Sequence, residues 1–154
     1  MGTPEQVVRV LISTSGQATW VVTPLGCENT TFHCDQLRGG LFNYAKSESW
    51  KSRGNYSLGL ELNLGSDYNV SGLYGRDKVA LGFSSAAGEA SLESQTIAGI
   101  ATLDYYVGLF GLGQQPTNLS TYVNPQPSFL TNLRTKNMIS SLSWSYTAGA
   151  PYRT

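Results

Sequence analysis

A short polar turn between two apolar segments holds the first residues whose chemistry can be considered, Ser13, Thr14 and Ser15. A serine hydroxyl acts as a nucleophile when a base lies beside it, and it cannot itself serve as a general base. The only histidine of the sequence, His33, stands between two cysteines, where a solvated loop residue is expected. No Ser-His-Asp arrangement is apparent, and nothing places a lysine next to Ser13. The turn therefore offers hydroxyl groups without an evident base.

The elements that must position this turn are predicted to be strands, because short runs are β-branched or alternate apolar with polar residues. These runs are residues 7–12, 19–22, 56–64, 68–74, 78–83, 92–101 and 142–146. Residues 109–113 form either a tightly packed strand or a loop. Ser128 is predicted to cap a short helix with Phe129, Leu130 and Leu133 on one face. The sum is a mainly β chain with one short helix near the C-terminal end.

Composition argues against several functions. Ten basic and ten acidic residues give a net charge of zero, so nothing favours nucleic acid or an anionic membrane surface. No apolar run reaches the roughly 18 residues that predict a membrane span. The glycines in residues 111–113 are interpreted as strand packing, because no strand–GxGxxG–helix unit surrounds them. No cofactor and no metal is therefore predicted.

The two cysteines, Cys27 and Cys34, bracket six residues and permit two interpretations, a small disulfide loop or two free thiols. Four Asn-X-Ser/Thr sequons favour the first, since each permits glycosylation in a secretory pathway. The sequons begin at Asn29, Asn55, Asn69 and Asn118. Together these features favour an oxidising compartment, so a secreted or cell-surface protein is expected.

The first strand, turn and second strand resemble those of pepsin-like aspartic proteases. That family has an apolar strand, Asp-Thr-Gly-Ser, three further residues and Trp-Val, and residues 10–21 here read Val-Leu-Ile-Ser-Thr-Ser-Gly-Gln-Ala-Thr-Trp-Val. Anchored on Trp20, the family's aspartate position holds Ser13. Further segments resemble family motifs in the same order. They are residues 24–34, 41–50, 72–79, 108–113, 127–133 and 142–146. Residues 144–150 are similar to fungal members.

The resemblance implies a fold and a domain organisation. Residues 5–148 are expected to form the amino-terminal lobe of such a protein, a mainly β pepsin-like lobe of the double-psi type. Residues 149–154 are then a linker toward a second lobe that this chain does not contain. The resemblance also implies a disulfide between Cys27 and Cys34.

The same resemblance bears on catalysis. Aspartic proteases hold one catalytic aspartate in each lobe, and the two carboxylates share one proton. Thr14 matches the family, but Ser13 cannot replace a carboxylate. Ser15 stands at the family's glycine position, and Val107 stands where an aspartate precedes the Gly-Leu-Phe-Gly-Leu-Gly segment. No catalytic residue is therefore expected in this chain.

Two functions follow from the resemblance. The first is a non-catalytic, protease-like lobe that binds a peptide, a glycan or another protein, with Trp20 and Tyr68 as candidates to line the cleft. Tyr68 requires a shifted hairpin, because the family's flap tyrosine falls near Gly65. The alternative is an aspartic-type endopeptidase domain of a two-lobed enzyme with altered or residual activity. A single lobe leaves a sheet exposed, so a second protease-like lobe or a homodimer is the expected partner.

Overall fold

One six-stranded sheet forms most of the regular structure. The computed structural model describes residues 1–28, 32–58, 71–82, 90–119, 125–145 and 147. The strands of the sheet are β1 (Val10–Ser13), β2 (Trp20–Val22), β3 (Lys51–Ser57), β4 (Ser71–Ala80), β5 (Ser91–Ile100) and β6 (Gly108–Gly111). Their spatial order is β1-β6-β2-β5-β4-β3. Two short strands, β7 (Thr117–Asn118) and β8 (Pro125–Gln126), pair separately.

The helices are short. A four-residue helix, α1 (Cys34–Leu37), begins at the second cysteine. The longer helix is α2 (Phe129–Thr135), and its cap is Ser128, whose Oγ accepts a hydrogen bond from the backbone N–H of Thr131 at 3.3 Å. The prediction of a mainly β lobe with a short, Ser128-capped helix near its C-terminal end is therefore confirmed. None of the helices in the described residues is long and apolar enough to cross a bilayer.

Strand β6 lies between β1 and β2, although the chain connects β1 to β2 directly. It runs parallel to β1, with Val10 opposite Gly108 and Ser13 opposite Gly111. It meets β2 in antiparallel orientation, with Trp20 opposite Leu109. A strand inserted between two others that share a turn is the psi arrangement implied by the resemblance. The turn that begins at Ser13 therefore packs against the end of β6, where Ser13 pairs with Gly111.

The central strand β2 is buried on both faces of the sheet, since its successive side chains point to opposite sides and all of them are buried. Trp20 and Val22 belong to one apolar cluster, which also contains Ala98 and Ile100. Val21, between the first two, belongs to the other. The second cluster includes the α2 side chains that the sequence placed on one helix face. This two-sided packing holds the central strands rigidly beneath the turn.

The predicted strands at 68–74 and 78–83 are one element in the structure. Residues 71–74 and 78–80 of these predictions lie in β4, which pairs with β3 in antiparallel orientation, whereas residues 81 and 82 lie in a bend. A register shift between Asp77 and Val79 lets β4 continue along β5. Most of the predicted strand 56–64 lies outside the described residues.

The prediction of a last strand at 142–146 is wrong for residues 142–145, which lie in bends and irregular backbone. A strand needs a neighbouring backbone for its ladder of hydrogen bonds. Here the carbonyl of Leu142 instead accepts a hydrogen bond from the Gln114 side chain at 2.7 Å. The alternating Leu142 packs against the second apolar cluster without strand pairing.

Candidate functional site

The turn after β1 is held by hydrogen bonds to the side chain and the carbonyl of Ser13. Ser13 is 9% exposed, and its Oγ accepts a hydrogen bond from the backbone N–H of Gly16 at 2.9 Å. The Ser13 carbonyl accepts a hydrogen bond from the backbone N–H of Leu112 at 2.8 Å. Thr14 and Ser15 are exposed. Ser15 has no positive φ, so its side chain is accommodated where the family has glycine without backbone strain there.

Strand β6 forms the floor of this turn and touches it through glycine. The backbone N–H of Gly111 donates to Thr19 Oγ1 at 3.2 Å, and that of Gly113 donates to the Gly16 carbonyl at 2.7 Å. A Cβ at Gly111 would lie 2.6 Å from the Gly16 carbonyl oxygen and 2.7 Å from that of Ala18. These glycines are thus used for strand packing, as interpreted from the sequence.

The side chains that could act as a base make other contacts. His33 is exposed at the start of α1, with its ring against Phe32 at a centroid distance of 3.8 Å. Lys78 forms an ion pair with Glu93 at 3.2 Å. Asp77 is fully buried and accepts hydrogen bonds from Ser49 and from its neighbour's backbone. Within the described ranges, no group of three or more His, Cys, Asp and Glu residues is placed to hold a metal ion.

A cavity of about 250 Å³ opens beside β1, and we call it the aromatic cavity. It is lined by Leu11, Trp20, Asp104, Tyr105, Tyr106, Val107, Gly108 and Leu109. Leu11 is two residues before Ser13 on the same strand, so both side chains point to the same side of the sheet. The cavity therefore lies next to the Ser13 turn. Asp104, Tyr105 and Tyr106 form one wall of this cavity.

Trp20 belongs both to the core and to the cavity. It is 4% exposed, packs in the first apolar cluster, and lies 5.7 Å from the Tyr105 ring between centroids. Its Nε1 is buried and has no hydrogen-bond acceptor among the described residues. The other cleft candidate, Tyr68, lies outside those residues, as does Gly65.

The disulfide predicted between Cys27 and Cys34 is formed. Of the four sequon asparagines, Asn55 is exposed on β3, which leaves its side chain accessible to modification. Asn118 lies in β7. Asn29 and Asn69 lie outside the described residues.

Arg38 is a residue of the site that sequence reasoning missed. It follows α1, is only 2% exposed, and donates four hydrogen bonds to backbone carbonyls. The acceptors are Gly26 at 2.6 Å, Thr102 at 2.7 Å, Tyr105 at 2.6 Å and Tyr106 at 2.8 Å. Burial lowers the pKa of Arg38, and a charge interaction with Tyr106 opposes this shift. No local sequence pattern predicts the role of Arg38, because its hydrogen-bond acceptors are backbone carbonyls of distant segments.

The comparison with protein families agrees with this geometry. The family model described as eukaryotic aspartyl protease matches residues 1–150. No curated protein matches the sequence significantly. The match covers the psi arrangement, the Ser13 turn and the aromatic cavity together. The chain belongs to the eukaryotic aspartyl protease family, and its structure is that of a pepsin-like lobe.

Proposed function

We propose that this chain is a non-catalytic protease-like lobe that binds a peptide in the cleft beside the Ser13 turn. The observation that carries the proposal is the hydrogen bond from the Gly16 backbone N–H to Ser13 Oγ at 2.9 Å. It keeps the turn in place with a neutral hydroxyl where the family has an aspartate. A hydroxyl cannot share a proton with a second carboxylate, so the acid–base pair of an aspartic protease cannot form here.

The aromatic cavity supports a peptide as the ligand. Its volume of about 250 Å³ is below the roughly 300–1,000 Å³ of pockets that enclose a drug-sized ligand, so it suits one large side chain of a longer chain. Leu11, Val107 and Leu109 supply aliphatic walls, and two tyrosines and Trp20 supply aromatic ones. Such walls favour an apolar or aromatic amino-acid side chain over the hydroxyl-rich surface of a glycan.

A secreted or cell-surface location is part of the proposal. The protein contains the Cys27–Cys34 disulfide. Disulfides persist in oxidising compartments and are rare in cytosolic proteins. The exposed side chain of Asn55 makes at least one sequon accessible.

Incubation of the protein with denatured casein from about pH 2 to about pH 7 is expected to yield no pepstatin-sensitive cleavage, because Ser13 supplies no carboxylate that could share a proton with the aspartate of a second lobe. Product is measured by gel electrophoresis. Pepstatin-sensitive cleavage would contradict the non-catalytic assignment. The double variant Ser13→Asp with Ser15→Gly is the gain-of-function control, assayed with a catalytically intact second lobe.

The proposal includes a second protease-like lobe as partner. A groove of about 430 Å³, which we call the apolar groove, lies on the other side of β1 from Leu11. Its lining includes Val7, Ile12, Leu112 and Trp144. Val7, Ile12 and Trp144 are strongly exposed, and β1 is one of the two edge strands of the six-stranded sheet. Apolar surface and an open strand edge of this kind are typical of an interface.

When no second lobe is supplied, a second copy of the chain is expected to cover the apolar groove. Multi-angle light scattering at micromolar concentration should then give the mass of a dimer. The variant Ile12→Asp, which places a charge in the groove, should shift the mass toward a monomer. A monomer for the unmodified chain would count against this part of the proposal.

A further inference from the structure

We infer that Arg38 is the positioning residue of the aromatic cavity, holding the cavity wall in the shape that accepts a ligand side chain. The inference rests on the proposed binding function, and it adds how the binding site is built and what its affinity depends on. Arg38 does not line the cavity, so it acts through the wall and not by touching the ligand.

The wall lacks the support of regular secondary structure. Residues 101–107 form neither helix nor strand, and β6 begins only at Gly108. Arg38 supplies these backbone carbonyls with the hydrogen bonds that a neighbouring strand would otherwise donate. Its Nη2 donates to the carbonyls of Thr102 and Tyr105, and its Nε donates to that of Tyr106. One guanidinium therefore fixes the backbone that carries both tyrosine rings of the cavity.

The Arg38 guanidinium also contacts the segment that precedes the disulfide. Nη1 of Arg38 donates to the Gly26 carbonyl at 2.6 Å. A Cβ at Gly26 would lie 2.7 Å from Nη1, so the contact also depends on glycine. Gly26 precedes Cys27, and Arg38 follows the helix that begins at Cys34. The disulfide thus holds together the two segments that support the guanidinium.

The chemistry of this contact requires arginine. A planar guanidinium presents five N–H donors in a fixed fork, whereas the lysine ammonium has three donors at one point. Four carbonyls from two segments cannot all be reached by a single ammonium group. The four bonds engage both terminal nitrogens and Nε, so four of the five N–H donors are committed to backbone carbonyls.

The ligand-free protein provides the first test. In ¹⁵N-labelled protein, Arg38→Lys is expected to shift the backbone amide resonances of residues 102–108 and the indole N–H of Trp20. The control is Ser128→Ala, which removes the cap of α2 and lowers stability without touching the wall. Equal, small shifts in both variants would overturn the inference.

If Arg38→Lys fails to fold, hydrogen exchange in the unmodified protein tests the inference instead. Its Arg38 Nε–H must exchange with water at least about 100-fold more slowly than that of the exposed Arg53, and equal rates overturn the inference.

Binding provides the second test, with acetyl-Phe-Leu-amide as the probe. Arg38→Lys is expected to weaken probe binding by about tenfold, while Ser128→Ala leaves it unchanged. Unchanged affinity in Arg38→Lys would contradict the inference. Leu11 and Met138 are exposed apolar residues, 61% and 42% accessible, and of the two only Leu11 lines the cavity. Leu11→Glu should therefore abolish binding, whereas Met138→Glu, which lies outside the cavity wall, should leave it unchanged. If the unmodified protein binds no probe, the proposed function fails, and the ligand-free test still decides the role of Arg38.

Discussion

Replacing Arg38 by methionine is expected to lower the free energy of unfolding by about 3–5 kcal/mol. Methionine fills a similar length with apolar atoms but donates no hydrogen bond. Four backbone carbonyls lose their donor, and each buried acceptor left unsatisfied costs about 1–3 kcal/mol. Removal of a buried charge offsets part of this loss, since burial disfavours the charged form and lowers the pKa of Arg38. Equilibrium unfolding in urea at neutral pH measures the difference.

Arg76→Met is the matched control. Arg76 is a half-buried arginine whose Nη2 donates one hydrogen bond to Gln126 Oε1 at 3.0 Å. Its loss is expected to cost about 0.5–1.5 kcal/mol. An equal cost for both variants would show that water replaces the guanidinium at the carbonyls of the cavity wall.

Gly111→Ala is expected to destabilise the protein by about 2–4 kcal/mol and to displace the Ser13 turn. The added Cβ would lie 2.6 and 2.7 Å from the carbonyl oxygens of Gly16 and Ala18. Both atoms belong to backbone, so no side chain can rotate out of the way. Thermal unfolding gives the stability, and the amide resonances of residues 13–19 report the displacement.

Gly82→Ala separates this clash from the general cost of replacing glycine. Gly82 has a φ of 91°, and no atom of the described residues would lie within 4 Å of an added Cβ, so its replacement costs mainly the left-handed backbone conformation. That cost is about 1–2 kcal/mol. The Ser13 turn should stay unperturbed in this variant. A Gly111→Ala protein with an undisturbed turn would show that β6 can move away from it.

Local chemistry made part of the fold predictable. Ser128 was identified as a helix cap because the capping hydrogen bond reaches only three residues along the chain. The short β-branched run before the turn predicted β1, since branched side chains favour strands. The disulfide and the position of Ser13 followed from a resemblance in motif order, which the family match over residues 1–150 supports.

Features that depend on distant partners could not be predicted in the same way. The run 142–146 has the alternation of a strand, but alternation does not say whether another backbone lies alongside. The aromatic cavity needs Leu11 and residues 104–109 to meet across the sheet. Arg38 presents the same difficulty more sharply, because three of its four acceptors lie more than 60 residues further along the chain. Backbone carbonyls carry no sequence signature.

The insertion of β6 between β1 and β2 has a consequence for the order of folding. During synthesis β1, the turn and β2 leave the ribosome before β6, and yet the strand that joins them in the sheet comes from residues 108–111. The entropy of closing so long a loop must be overcome before these contacts stabilise the chain, which is typical of slow folding. The Ser13 turn is thus made well before β6 and is completed only when β6 has been made. A nascent chain that stops before Gly111 has no floor beneath the turn and no complete cavity.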